Sequence, residues 1–123
     1  MTNECTPLFR PGKDVTVVPT TAVTGKTFVG VSGGRDANGM IKAATATAAA
    51  RAFGVASRNA GIGVPVTVIR GGIVPVTAGG TIAAGAEVEV GASGHAVTLA
   101  SGKPVGYAVD AGTNGNDVLI ALY

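Results

Sequence analysis

Tryptophan is absent from this sequence, and three phenylalanines and two tyrosines are its only aromatic side chains. The apolar share, 46% of 123 residues, therefore falls on alanine and valine, spaced by 20 glycines. Stabilisation follows buried apolar area at about 25 cal/mol per Å², so a core of small side chains gains little per residue. A chain of this length buries about two-thirds of its unfolded surface as one domain, and this one gains from a partner surface. The single cysteine, Cys5, excludes an intrachain disulfide and fits a reducing compartment. The single histidine, His95, together with that lone cysteine, excludes a His/Cys zinc site. Charge is sparse, with nine Lys and Arg against seven Asp and Glu. The cations are scattered singly, from Arg10 and Lys13 to Arg70 and Lys103, and form no basic stripe. Nucleic acid is thus not an expected partner, because its phosphates must be neutralised along one face. No apolar run approaches the ~20 residues of a membrane span, and the first residues lack the basic-then-apolar order of a signal peptide. Neither membrane association nor export is expected; the chain reads as a product of the cytoplasm.

What is present is one phrase used twice. Residues 54–69 and 106–121 align without a gap, matching Gly54 with Gly106, Ala56 with Ala108, Gly63 with Gly115 and Val66 with Val118. Each copy is a short apolar stretch, a glycine-rich turn and a β-branched run, the pattern of two strands joined by a turn. A front half also recurs, with Gly25–Val31 preceding the first copy as Gly85–Val90 precedes the second. The spacings of 29 and 21 predict an eight-residue insertion in the first half, within Ser32–Lys42.

Strands are predicted at Val15–Val18, Thr27–Val31, Val64–Ile69, Ile73–Val76, Ala86–Val90, Val97–Ala100, Val105–Val109 and Asp117–Leu122, with turn signals between them. Asn38-Gly39 is a hairpin-turn pair. The alanine-rich segment 40–53 favours helix by propensity. The repeat sets Thr45-Ala46-Thr47 against Val97-Thr98-Leu99, however, and Ala-Thr alternation fits a period of two. Strand is predicted over about 41–47, followed by a turn or one helical loop before Phe53. Pro7, Pro11 and Gly12 make residues 1–13 an extended arm. The fold class expected is all-β: a compact β-barrel or β-sandwich of two related halves over residues 14–123, with at most one short helix.

Reactive chemistry is scarce. Gly25-Lys26-Thr27 ends like a phosphate-binding loop, but position 20 is threonine where that motif needs glycine, and a strand follows where it needs a helix. His95 sits in a turn with no acid beside it in sequence. Glu87 and Glu89 stand two apart, as the solvated face of a strand whose other face is Ala86, Val88 and Val90. Lys42, after the Asn-Gly turn, loosely matches the modified lysine of biotin- or lipoate-carrying barrels, though its neighbours are Ile41 and Ala43. No catalytic residue, metal ligand, cofactor or small-molecule substrate is expected.

Phe53-Gly54-Val55-Ala56, Val66-Thr67-Val68, Gly72-Ile73, Ala84-Gly85-Ala86, Val105-Gly106-Tyr107-Ala108 and Val118–Leu122 together resemble small tailed-phage capsid decoration proteins, the head-stabilising or cement family. The resemblance covers about residues 11–123 and consists of glycines and valines, with no catalytic motif. It implies a non-enzymatic virion protein, made in the host cytoplasm, that binds the outer surface of the phage head. Its implied partners are the major capsid protein and further copies of itself, as a homotrimer. It also implies that the arm adds a strand to the capsid lattice, through Thr6, Pro7, Leu8, Phe9, Arg10 and Pro11. The alternatives are a β-barrel carrier or ligand-binding module using Lys42, or another virion accessory such as a head-fibre or tail component.

Overall fold

Alternating valines build the first strand: in β1 (Asp14–Pro19), Val15, Val17 and Pro19 are buried while the residues between them are not. The structure is a computed structural model and describes residues 12–123. The predicted contact segment Thr6–Pro11, and with it nearly all of the arm, lies outside the described residues. After β1 come β2 (Phe28–Gly33), β3 (Ile41–Thr45), β4 (Gly54–Ala56) and β5 (Val66–Ile69), which close into a barrel in the order β1-β3-β2-β4-β5. Then β6 (Ile73–Thr77), β7 (Glu87–Val90), β8 (Ala96–Thr98), β9 (Gly106–Ala108) and β10 (Asp117–Leu122) form a second sheet, ordered β6-β10-β9-β7-β8. One 3-10 turn, Ala92–Gly94, is the only helical piece among the described residues.

The two orders are the same order, each strand of the first half matching the strand five places later. Even the parallel pairing of β1 with β3 has its counterpart, an isolated parallel bridge between Ala78 and Ala96 that joins the ends of the second sheet and makes of it a second, incompletely closed barrel. Hydrogen bonds repeat in pairs. Lys26 N–H donates to the Ala56 carbonyl as Gly85 N–H does to that of Ala108, and Gly63 N–H to Pro19 as Gly115 N–H to Ala78. The two halves are thus offset by 59 positions up to β2 and by 52 from β4 onward. At β3 the offset is 53, since Thr20 N–H meets the Ala43 carbonyl where Gly79 N–H meets that of Ala96. The predicted eight-residue insertion is therefore six extra residues between β2 and β3 and one between β3 and β4. The sequence alignment slipped by one because it set Gly25 on Gly85. Lys26 is the true counterpart: it holds the same left-handed turn, φ 62° against 85° for Gly85.

The alanine tract is strand where it must be. Residues 41–45 pair with β1 on one side and β2 on the other, and without them the barrel would stay open. Tertiary closure overrides alanine's helix propensity. Residues 46–53 form an irregular connection with Ala49 at φ 64°.

The first barrel keeps its own core of Val15, Val17, Val23, Val29, Val66 and Val68 with small alanines. The second core gathers Val74, Val76, Ile82, Val88, Val90, Val118 and Ile120, and to these the first barrel adds Phe28, Ala46 and Val55. At the start of β2 and in β4 both faces are therefore buried: Val29 and Ala56 point into their own barrel, Phe28 and Val55 into the seam between the two. Thr77 N–H donates to the Lys26 carbonyl, Ala49 N–H donates to that of Val90, and Lys26 Nζ meets Asp117 at 2.7 Å; all three cross the seam.

Candidate functional site

The second sheet presents an outer face with an apolar strip over β6, β10 and β9, flanked by Asp117 and Glu87. In β10, Val118 and Ile120 point into the core, so Asp117, Leu119 and Ala121 point away from it. Ladder pairing lines Ala121 up with Ile73 on one side and Tyr107 on the other, and Leu119 with Pro75. Val109, whose N–H donates to the Leu119 carbonyl, extends that row. Ile73 is 61% exposed and Leu119 and Tyr107 each 42%. Tyr123 completes the patch, its ring centroid 6.1 Å from that of Tyr107. Its hydroxyl donates to Glu87 Oε2 at 2.6 Å. That bond to a carboxylate, helped by slight desolvation and the nearby charge, raises the phenol pKa above its ordinary 10.0. An exposed apolar patch of this kind is a candidate interaction surface.

The same positions in the first barrel are Phe28 for Glu87, Val55 for Tyr107 and Ile69 for Ala121, and these pack into the seam. This strand face is thus already a protein-contacting face once within the chain. A smaller apolar prominence, Ile62 and Val64, tips the β4–β5 turn, where the second half carries Asn114 and Asn116.

A cleft of about 280 Å³ opens where the barrels meet. Phe28, Phe53, Val105 and Leu122 supply its apolar walls, and Arg51, Arg70 and Lys103 stand around it. A broader groove of about 580 Å³ along Gly30, Val31 and Ala44–Thr47 shares Arg51, Phe53 and Arg70 with it. The Arg70 guanidinium lies 4.5 Å over the Phe53 ring, and its Nε–H donates to the Phe53 carbonyl at 2.9 Å.

The residues singled out in the sequence fall elsewhere. Lys26 occupies a turn and Thr27 is buried, its hydroxyl donating to the Thr24 carbonyl, with β2 following directly. Asn38-Gly39 does turn the chain, Asp36 Oδ1 accepting the N–H groups of Asn38 and Met40. Lys42 lies within the ladder, opposite Val18 and Gly33, and not at a hairpin tip. His95 ends the 3-10 turn, half-buried. The pairing of Glu87 and Glu89 as a solvated face needs correction. Glu87 is exposed, but Glu89 is 5% exposed, covered by the 100–102 turn, with Oε1 accepting the Ala100 N–H at 2.7 Å. Its carboxylate pins that turn over the strand, so alternation alone misread it. Among the described residues no three His, Cys, Asp or Glu side chains gather closely enough to hold a metal ion.

Neither surface was picked out from the sequence. The apolar face had a signal in Val118–Leu122, where an unbroken apolar run replaces alternation. The cationic cleft had none, because Arg51, Arg70 and Lys103 are far apart in the chain.

Comparison with known proteins bears on what these surfaces serve. No curated protein sequence matches the chain. Among solved structures it is similar to the head fiber gp8.5 N base of bacteriophage phi29, with a TM-score of 0.76 and 23% identity, covering 89% of this chain and 92% of that one. At that identity the likeness speaks for the fold. The family model for phage cement protein matches residues 9–122, through both barrels and into the last strand. The chain belongs to the phage cement protein family, a family of structural proteins associated with the phage capsid.

Proposed function

We propose that this protein is a non-catalytic cement on the outer surface of the phage head, binding the major capsid protein as a homotrimer after synthesis in the host cytoplasm. The observation that carries the reading is the family match across residues 9–122. Residues 14–123 act as one unit, a view supported by Phe28, Ala46 and Val55 lying in the core of the second half. Self-association is supported by the exposed Ile73, Leu119 and Tyr107 face, whose counterpart in the first barrel already buries itself against a barrel. Residues 1–13 add a strand to the capsid lattice through Thr6–Pro11. Many copies on a repeating shell make occupancy tight even where each contact is modest.

The test is to mix purified protein with undecorated, expanded phage heads. Saturable binding that makes the heads more resistant to heat is expected, along with weaker binding after removal of residues 1–11. Heads that take up none at micromolar protein would refute the reading. A second reading, the base of a head fibre, draws on the fold likeness to the phi29 protein. Cement saturates the lattice in proportion to capsid subunits and acts alone, whereas a fibre base requires further chain or a further protein for its fibre.

A further inference from the structure

Nine cations scattered through the sequence would be expected to spread over the surface, yet three meet at one cleft. Arg51 belongs to the β3–β4 connection, Arg70 to the end of β5 and Lys103 to the β8–β9 connection, so both barrels contribute. Neither this cleft nor the groove that continues it has an Asp or Glu among its described lining residues. The ion pair among the described residues, Lys26 with Asp117, involves none of these three. Arg70 is also held in place: stacking on Phe53 and donation from Nε to the Phe53 carbonyl fix the plane of the guanidinium. No protein partner for its terminal nitrogens occurs among the described residues. A fixed guanidinium suits the two oxygens of a carboxylate, with less side-chain freedom left to lose on binding. The cleft also adjoins the start of β1, since the Arg70 N–H donates to the Lys13 carbonyl at 2.7 Å.

We infer that the cleft at Arg51, Arg70 and Lys103 is a carboxylate-binding site that receives an acidic, extended segment of the capsid partner. The inference rests on the cement reading for the identity of that partner. Carboxylates meet the three cations while apolar side chains of the same segment lie on Phe53, Val105 and Leu122. The adjoining groove gives the segment room to continue along Ala44–Thr47. Placed beside the root of the arm, the site fastens the barrels where the arm departs.

The experiment uses the full chain and a hexaglutamate peptide, followed by amide chemical shifts. Saturable changes are expected at residues 51–54, 70 and 103–105, weakening as salt rises. R51Q/R70Q/K103Q should lower the affinity at least tenfold, and R51Q/K103Q, which leaves the Arg70–Phe53 stack untouched, at least threefold. R35Q/K42Q should leave it within twofold. Equal changes around all the cations, or none, overturn the site. Binding that appears only once residues 1–11 are removed assigns the cleft to the chain's own arm and also overturns it, as does stronger competition by a DNA oligonucleotide. On expanded heads, R51Q/R70Q/K103Q should bind at least tenfold more weakly than wild type at low salt. Equal binding by the two sinks the inference and spares the cement reading; heads that bind neither sink both.

Discussion

Gly54 and Gly106 open the two copies of the repeated phrase, and the same crowding explains both. A methyl group on Gly54 would stand 2.5 Å from Val68 Cγ1 and 2.6 Å from the Ile69 carbonyl oxygen. On Gly106 it would meet Ile120 Cγ2 at 2.8 Å and the Ala121 carbonyl oxygen. Gly54→Ala and Gly106→Ala should therefore each destabilise by about 2–3 kcal/mol, read from urea unfolding. These glycines were visible in the sequence as matched positions; the facing strand that demands them was not. Tyr123 gives a second test at this scale. A phenol whose pKa is raised on folding favours the folded state while protonated, so its contribution is full below pH 10 and fades as pH climbs through the folded value. Ultraviolet titration should show one tyrosine ionising late, and Glu87→Gln should bring it back toward 10.

Among the elements, β2 and β4 carry the most because each serves two cores. Phe28 is the largest side chain in the seam and fully buried. Phe28→Ala should cost about 3–5 kcal/mol, with amide exchange rising across the seam before it rises inside either barrel. Most strands were legible because valine alternates in β1 and β5 and because turn residues punctuate the chain. β3 was legible through the repeat and a short Ala-Thr alternation, against alanines that favour helix locally. Glu89 was not legible at all: what covers it is a turn eleven residues later in sequence. Long-range covering of this sort leaves no local pattern, and the meeting of Arg51, Arg70 and Lys103 escaped the sequence for the same reason.

For the whole molecule, the apolar strip over β6, β10 and β9 is the surface proposed above for self-association. Leu119→Lys places a charge there without touching the core, so stability should change by no more than about 0.5 kcal/mol. Sedimentation should show the variant shifted toward monomer relative to wild type; an unchanged mass would release this strip from any part in self-association. The family likeness was legible because it resides in glycines and valines that the fold itself requires. The proposed contact surfaces lie instead on exposed positions that core packing does not constrain. The first barrel, finally, is a closed ring of strands, and the second sheet has its two ends, β6 and β8, joined by the single bridge of Ala78 and Ala96. Among the described strands, only those two ends leave backbone groups open to a neighbour's strand. Copies standing side by side, as the cement reading has them, would meet the first barrel through its side chains and not by lengthening its sheet.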